Sequence, residues 1–205
     1  MKRLLSEYKL REKEIKNRLQ EFDRKKERAG SGIFEELCFC LLTPQSKAVS
    51  CARAVKELKR KGLLFKAPAP DISAKLRGLA RFHNKKAAYL VNARQLLEEI
   101  RKKIRTGDTL QTREWLVKNI KGLGYKEASH FLRNIGLGKG MAILDVHILK
   151  NLKKLGVIKK IPSSLSRKSY LDIEEKMRGL AAKTGVPLEE LDLLFWSRET
   201  GFVFK

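Results

Sequence analysis

The chain has 205 residues, with 46 Lys and Arg against 23 Asp and Glu, which gives a formal net charge of +23 at pH 7. This length suits one domain or two small lobes, and no apolar run is long enough to cross a membrane. The charged N-terminus does not resemble a signal peptide. The three cysteines, Cys38, Cys40 and Cys51, lack the spacing of a zinc site and predict buried, reduced thiols.

The excess of basic residues predicts a polyanionic partner, and nucleic acid is the first candidate. The alternative is a Lys-rich solvated surface of the thermophile type. That type normally adds Glu together with Lys, whereas acidic residues lag far behind in this chain. We therefore expect an intracellular, cytoplasmic protein that binds no membrane.

Apolar residues recur at helical spacing through most of the chain. The first helix carries them on one face: Leu5, Tyr8, Ile15, Leu19 and Phe22. The run IFEELCFCLL (33–42) predicts a nearly all-apolar helix at the centre of the fold, and Ser46 is a candidate N-cap of the next helix. One further long helix is predicted from the stripe Leu90, Leu97, Ile100 and Ile104. Since no stretch alternates with period two, the pattern predicts an all-α protein.

The segment KGLGYKEA (121–128) joins two predicted helices through an unusual turn. Gly122 and Gly124 flank one apolar residue, so the backbone can take positive φ and present N–H groups beside the start of the next helix. Such a helix end binds a phosphate oxygen through amide donors and the helix dipole. The alternative is a plain helix–helix turn with glycine C-caps.

Two ionisable residues near this turn are candidates for chemistry. Lys126 stands in the first turn of the second helix, where the dipole opposes a cation and favours a free amine that can attack an electrophilic carbon. Phosphate binding is the alternative role for Lys126, and the spacing does not decide between the two. Asp145 precedes VHILKNLKKL and reads as a helix N-cap. A carboxylate fixed there could also stabilise a cation forming at a sugar C1′.

GLGYKEA followed by LDVHILK resembles the signature of the helix–hairpin–helix DNA glycosylase superfamily, and the resemblance extends over about 40–205. Upstream, LLTPQSKAVSCARAV (41–55) and RFHNKKAAYLVNA (81–93) fall where that family has helices with DNA-wedge residues. No cysteine follows Cys51, so the four-cysteine iron–sulfur loop of some members is missing. Helix also begins almost at Met1, where eukaryotic 8-oxoguanine enzymes have a β-sheet domain. The chain therefore resembles the compact, archaeal-type 8-oxoguanine DNA glycosylase/AP lyase group.

The resemblance implies a fold, an activity and catalytic residues. The fold would be all-α, with two helical lobes around a DNA-binding cleft: about 40–120, and about 1–39 plus 121–205. The activity would be excision of 8-oxoguanine from double-stranded DNA and strand nicking, by a monomer associated with the nucleoid, with no metal or organic cofactor. Lys126 would be the nucleophile and Asp145 the catalytic acid, and His147 would orient Asp145, meet a phosphate or be merely structural.

The remaining implied residues contact DNA or the damaged base. Gln45 would fill the space left by a flipped nucleotide and Phe82, with His83 beside it, would be the wedge; their alternatives are a helix-capping glutamine and a core phenylalanine. Trp196 would stack on the purine, with core filling as the alternative. Lys205, as the final residue, would offer its carboxylate to N7–H of 8-oxoguanine, unless the tail is frayed.

Two other functions stay open at this point. A non-catalytic helix–hairpin–helix DNA-binding module would explain the glycine turn and the charge, but not the pairing of Lys126 with Asp145. A glycosylase for another lesion, such as an oxidised pyrimidine, would share the same catalytic residues.

Overall fold

The structure is a computed structural model that describes residues 2–27, 31–106 and 108–204, without the side chains of residues 25–27, 31 and 106. These ranges contain helices and no β-strand, which confirms the all-α class. The helices are α1 (Lys2–Glu27), α2 (Ser31–Leu42), α3 (Ala48–Arg60), α4 (Leu63–Lys66), α5 (Ala69–Leu76), α6 (His83–Gln95), α7 (Leu97–Thr106), α8 (Thr109–Asn119), α9 (Tyr125–Asn134), α10 (Val146–Lys154), α11 (Arg167–Thr184) and α12 (Leu188–Thr200). Within the same ranges, no helix has the length and apolar character needed to span a bilayer.

The described residues form two compact units. The terminal unit comes from Met1–Glu27 and Leu132–Lys205, and the central unit comes from Arg28–Phe131. The division therefore falls inside α9, between its seventh and eighth residues. The lobe boundaries expected from the sequence, and a cleft between the lobes, remain a prediction.

The central unit is built around α2, as the sequence predicted. Phe34, Leu37 and Leu42 of this helix are fully buried, and α2 packs against α3 and α6 while α5 packs along α6. The single long helix predicted from the Leu90 to Ile104 stripe is wrong, because α6 ends at Gln95 and α7 begins at Leu97. The apolar residues keep helical spacing across the break at Leu96, so periodicity alone does not reveal it.

In the terminal unit, α12 packs against α1, α10 and α11. The N-cap of α12 is Pro187, so the helix begins where the sequence predicted. Arg133 at the end of α9 forms a buried ion pair with Asp192 of α12, and its guanidinium lies 5.3 Å from the ring centroid of Phe22 in α1. The ion pair and the ring contact fix the last residues of α9, which belong to this unit, to α12 and α1.

Candidate active site

The turn between α8 and α9 holds Gly122 in a left-handed conformation, with φ +86°. A Cβ atom at this position would lie 2.3 Å from a ring carbon of Tyr89 on α6. The next residue, Leu123, is buried, and its N–H donates to the carbonyl oxygen of Ile120 at 3.2 Å. The hairpin thus needs glycine at 122 both for its φ and for its close approach to α6.

Gly124 has a different role, because its φ is not positive. It caps α9: its carbonyl oxygen accepts the N–H of Ala128 at 2.9 Å. Three residues after Gly124, Glu127 folds back, and its Oε2 accepts the Gly124 N–H at 3.3 Å, which is the return half of a capping box. The carboxylate of Glu127 therefore fixes the first turn of the helix that carries Lys126.

Lys126 is the second residue of α9, as the sequence predicted. Its side chain is only 22% exposed, and its Nζ lies 3.3 Å from Oε1 of Glu127. A lysine at this end of a helix faces the positive end of the dipole. The neighbouring carboxylate is the group that compensates this placement.

Asp145 is the N-cap of α10, which confirms the structural role predicted from the sequence. One carboxylate oxygen, Oδ1, accepts the N–H of His147 at 2.8 Å and the N–H of Ile148 at 2.9 Å. Among the described residues, no group donates a hydrogen bond to Oδ2. The carboxylate is thus fixed through one oxygen and leaves the other for a ligand.

The segment before Asp145 is held by two residues of α11 that the sequence reasoning missed. Tyr170 Oη donates to the carbonyl oxygen of Ala142 at 2.6 Å, and Leu144 N–H donates to Tyr170 Oη at 3.4 Å. Oε2 of Glu174, which is fully buried, accepts the N–H of Ala142 at 3.0 Å. These bonds give the buried, non-helical backbone of 141–144 hydrogen-bond partners outside its own segment. A tyrosine and a glutamate on a helix about thirty residues away along the chain carry no local signal for such a role.

His147 contacts Asp145 through its backbone and not through its ring. Its ring Nδ1 is buried and makes no hydrogen bond within the described residues. Its carbonyl oxygen accepts the side-chain amide of Asn151 at 2.9 Å, and Asn151 in turn accepts from Arg198 at 3.1 Å. The start of α10 is therefore braced against α12.

Gln45 and Phe82 share an uncommon backbone geometry. They have φ of +54° and +57°, and within the described ranges they are the only non-glycine residues with positive φ. Both are exposed, Phe82 to 52%, so Phe82 is not a core residue. Next to Phe82, the Nδ1 of His83 lies 2.8 Å from Oγ of the buried Ser73. The bond fixes the ring of His83 at the start of α6.

The expected capping role of Ser46 is wrong. The N-cap of α3 is Lys47, and no side chain caps that end. The Ser46 hydroxyl oxygen instead accepts the N–H of Arg81 at 2.9 Å and the ammonium of Lys86 at 2.9 Å. These donors, more than 30 residues away in sequence, take the lone pairs that a cap would have used.

Trp196 lies on α12 in an aromatic cluster with the C-terminal tail. The ring of Phe204 stacks on the indole at 6.0 Å between centroids, and the ring of Phe202 meets it edge-on at 5.5 Å. Arg18 of α1 donates to the carbonyl oxygen of Phe204 at 3.3 Å. The tail is therefore docked through residue 204, and Lys205 lies outside the described residues.

The candidate residues fall into two sets, one in each unit. The central unit holds Lys126, Gly122, Gly124, Gln45, Phe82 and His83, and the terminal unit holds Asp145, His147 and Trp196. The ring of His83 is fixed by a hydrogen bond to Ser73, and Trp196 is held by ring contacts with Phe202 and Phe204.

Comparisons with known proteins agree with the motifs. The family model for 8-oxoguanine DNA glycosylase matches residues 15–186. The 8-oxoguanine DNA glycosylase/AP lyase of Fusobacterium nucleatum is 45% identical over 97% of this chain and 94% of its own length.

Solved structures are also similar to this chain. The crystal structure of the 8-oxoguanine glycosylase/lyase of Methanocaldococcus jannaschii, in complex with a 15mer DNA containing 8-oxoguanine, gives a TM-score of 0.90 at 38% identity and covers 98% of this chain and 99% of that one. The 8-oxoguanine DNA glycosylase of Thermotoga maritima gives 0.89 at 37% identity, with 100% and 97% covered. These matches confirm the resemblance inferred from GLGYKEA and LDVHILK. The chain belongs to the 8-oxoguanine DNA glycosylase family.

Proposed function

We propose that this chain is a bifunctional DNA glycosylase/AP lyase that excises 8-oxoguanine from double-stranded DNA and nicks the strand by β-elimination, as a monomer acting on the nucleoid. The observation that carries this proposal is the placement of Lys126. It is the second residue of the helix that follows the hairpin, and most of its side chain is buried beside Glu127. A phosphate-binding lysine in a chain of +23 would not need that burial.

DNA binding is the first step, and we assign it to the hairpin and to two exposed side chains. We assign the turn at Gly122 and Gly124 to a phosphate, which would be bound through N–H groups other than those of Leu123 and Gly124, since these two donate within the hairpin. The enzyme must then rotate the damaged nucleotide out of the stack, which costs a few kcal/mol. Gln45 fills the vacated space opposite the orphaned cytosine, and Phe82 wedges the duplex, with His83 beside it on the backbone.

The chemistry begins when the amine of Lys126 attacks C1′. The C1′–N9 bond breaks as the C1′–Nζ bond forms, and the base leaves with its bonding electrons and takes up a proton. The adduct opens to a Schiff base between Nζ and C1′. Loss of a C2′ proton then expels the 3′-phosphate, which nicks the strand, and hydrolysis of the Schiff base returns the free amine.

Asp145 acts electrostatically in this reaction. Its Oδ2 accepts no hydrogen bond from a described residue. We assign to this oxygen the stabilisation of positive charge at the sugar and help in removing the proton from Lys126. The backbone amides of His147 and Ile148 keep the carboxylate in place. We assign the ring of the half-exposed residue His147 to a DNA phosphate.

Base recognition is assigned to the tail region of the terminal unit. Since Phe204 stacks on one face of the Trp196 indole, a flipped purine would use the opposite face. We assign the recognition of N7–H, which 8-oxoguanine has and guanine lacks, to Lys205. An acceptor at that position gains a hydrogen bond that normal guanine cannot make.

The test compares three variants on a duplex with 8-oxoguanine opposite cytosine. Lys126→Gln is expected to bind DNA while losing base release, nicking and trapping by borohydride, because an amide forms no Schiff base. Lys121→Gln is the matched control, since Lys121 is an exposed lysine in the same hairpin, and it is expected to keep all three activities. Asp145→Asn is expected to fold, because asparagine caps a helix as well as aspartate does, and to slow base release about 10²–10³-fold.

The outcomes separate the candidate functions. Wild-type protein that binds the duplex without releasing a base would be a DNA-binding module only. Base release confined to duplexes with an oxidised pyrimidine would show that the substrate is another lesion. Binding to undamaged duplex should weaken with salt, with a log–log slope of about −0.9 for each phosphate contacted, and a flat salt dependence would contradict the assignment of the basic surface to DNA.

A further inference from the structure

The proposed chemistry leaves one buried cation unused, Lys86 on α6. Lys86 is 3% exposed, and lysine is almost never fully buried without a partner. No carboxylate forms an ion pair with it within the described residues. Burial lowers the pKa of Lys86 below its ordinary value, and the nearby charge of Lys126 acts in the same direction. We therefore expect the ammonium group to make hydrogen bonds that offset the cost of its burial.

The hydrogen bonds of Lys86 show what it holds. Its Nζ donates to the carbonyl oxygens of Leu42 and Pro44, both at 2.7 Å, and to Oγ of Ser46 at 2.9 Å. These bonds use all the donors of the ammonium. Leu42 ends α2, so the cation also lies at the negative end of a helix dipole. All three acceptors lie in the segment 42–46, which contains Gln45.

A second link joins the same segment to the chain before α6. Ser46 Oγ accepts the N–H of Arg81 at 2.9 Å, besides the ammonium of Lys86. Phe82 lies between these two donors in the sequence. Ser46 thus links the segment of Gln45 to Arg81 and Lys86, which lie before and after Phe82 in the sequence.

The tied segments are also the two strained ones. The N–H of Ser46 donates to the carbonyl oxygen of Thr43 at 3.0 Å, with Pro44 and Gln45 at the central positions, and this is the arrangement of a type II turn, which favours glycine where Gln45 stands. Phe82 has the left-handed backbone at the N-cap of α6. Each such residue costs about 1–2 kcal/mol, and such strain persists only where the surroundings enforce it.

We propose that Lys86 and Ser46 form a clamp that fixes the segments of Gln45 and Phe82 relative to each other before DNA binds. This inference rests on the proposed function, because it concerns how the protein meets the cost of nucleotide flipping. Because the clamp orders the two intercalating residues in the free protein, the entropy cost of ordering them on DNA binding is smaller. Lys86 is a positioning residue, since it acts through the segment 42–46 and has no contact with DNA in this role.

The test replaces Lys86 with methionine, which keeps the unbranched chain and removes the donors. Lys85→Met is the matched control, because Lys85 is the exposed neighbour on the same helix. Single-turnover excision of 8-oxoguanine is measured on duplex and on single-stranded DNA. β-Elimination is measured on a ready-made abasic site, and a fluorescent cytosine analogue opposite the lesion reports base-pair opening.

The clamp predicts a selective loss. Lys86→Met should slow base-pair opening and duplex excision about tenfold to a hundredfold, the loss that a misplacement of about 1 Å causes. Single-stranded excision and abasic-site cleavage should stay within about twofold of wild type, because a single strand requires less unstacking than a duplex and an abasic site has no base to flip. Lys85→Met should leave all four measurements unchanged. Ser46→Ala, which removes one acceptor and leaves Lys86 two carbonyl partners, should shift the same ratio less.

Two results would overturn the clamp. Equal losses on all substrates would show that Lys86 supports the unit as a whole, and unchanged duplex excision in Lys86→Met would show that Gln45 and Phe82 need no such support. If Lys86→Met does not fold, Ser46→Ala decides by the same ratio. Failure of the proposed function looks different, because wild-type protein itself would then release no 8-oxoguanine from the duplex.

Discussion

Replacing Gly122 with alanine tests whether the hairpin has its shape because position 122 lacks a side chain. An L-residue in the left-handed region costs about 1–2 kcal/mol. The new Cβ would also lie 2.3 Å from the ring of Tyr89, far inside the usual carbon–carbon contact of about 3.5–4.0 Å. Moving the ring or the hairpin adds an overpacking cost of about 1–3 kcal/mol. Together these terms predict that Gly122→Ala loses about 2–5 kcal/mol of unfolding free energy.

The matched control is Gly62→Ala in the same unit. Gly62 also has positive φ, +69°, but no heavy atom lies within 4 Å of a Cβ built there. It should therefore lose only the backbone cost of about 1–2 kcal/mol. The difference between the two variants isolates the contact with Tyr89.

Urea unfolding of both variants measures the free energies, and fluorescence anisotropy measures binding to undamaged duplex DNA. Gly122→Ala should weaken DNA binding at constant salt, because the amides of the hairpin move away from the phosphate, whereas Gly62→Ala should bind as wild type does. Equal losses of unfolding free energy in the two variants, with binding unchanged in both, would refute the role of Gly122 in shaping the phosphate site.

Three further predictions concern other parts of the chain. Arg133→Met should lower the unfolding free energy by about 3–5 kcal/mol, because it removes the guanidinium that forms an ion pair with the buried carboxylate of Asp192. A calorimetric Tm within a degree of wild type would contradict this. Arg18→Ala removes a hydrogen bond to the carbonyl oxygen of Phe204 and a guanidinium placed 5.9 Å from the ring centroid of Phe204. Loss of about 1–2 kcal/mol of local contacts should speed amide hydrogen exchange in the tail about fivefold to thirtyfold. Unchanged exchange would show that Arg18 does not dock the tail. Burial raises the pKa of the Cys51 thiol to about 11. Alkylation of Cys51 by iodoacetamide at pH 8 should therefore be about a hundredfold slower in the folded than in the unfolded protein, and its rate in the folded protein should rise with pH up to about 11. Equal rates in the two states would show that Cys51 is not buried.

The sequence predicted the features that depend on neighbouring residues. Periodicity identified the buried α2, and the types and spacing of the residues identified the hairpin at Gly122 and the cap at Asp145. Each of these signals lies within about ten residues, where local backbone chemistry decides the outcome. The same reasoning located Lys126 in the first turn of α9.

Features that join distant residues were not predictable in this way. Ser46 has the residue type of a cap, but its hydroxyl serves Arg81 and Lys86, which only the tertiary fold brings near. Tyr170 likewise supports the backbone before Asp145 from about thirty residues away along the chain. The positive φ of Gln45 also lacks a local signal, since a glycine would have been expected at that turn position.

The central claim, that Lys126 is the nucleophile, is tested most directly by locating the covalent adduct. Wild-type protein is incubated with a duplex containing 8-oxoguanine opposite cytosine, the Schiff base is reduced with borohydride, and the digested adduct is sequenced by mass spectrometry. The account predicts the sugar remnant on the side chain of Lys126, with no adduct from the Lys126→Gln variant. An adduct on another amine, such as Lys121 in the same hairpin, would contradict the account.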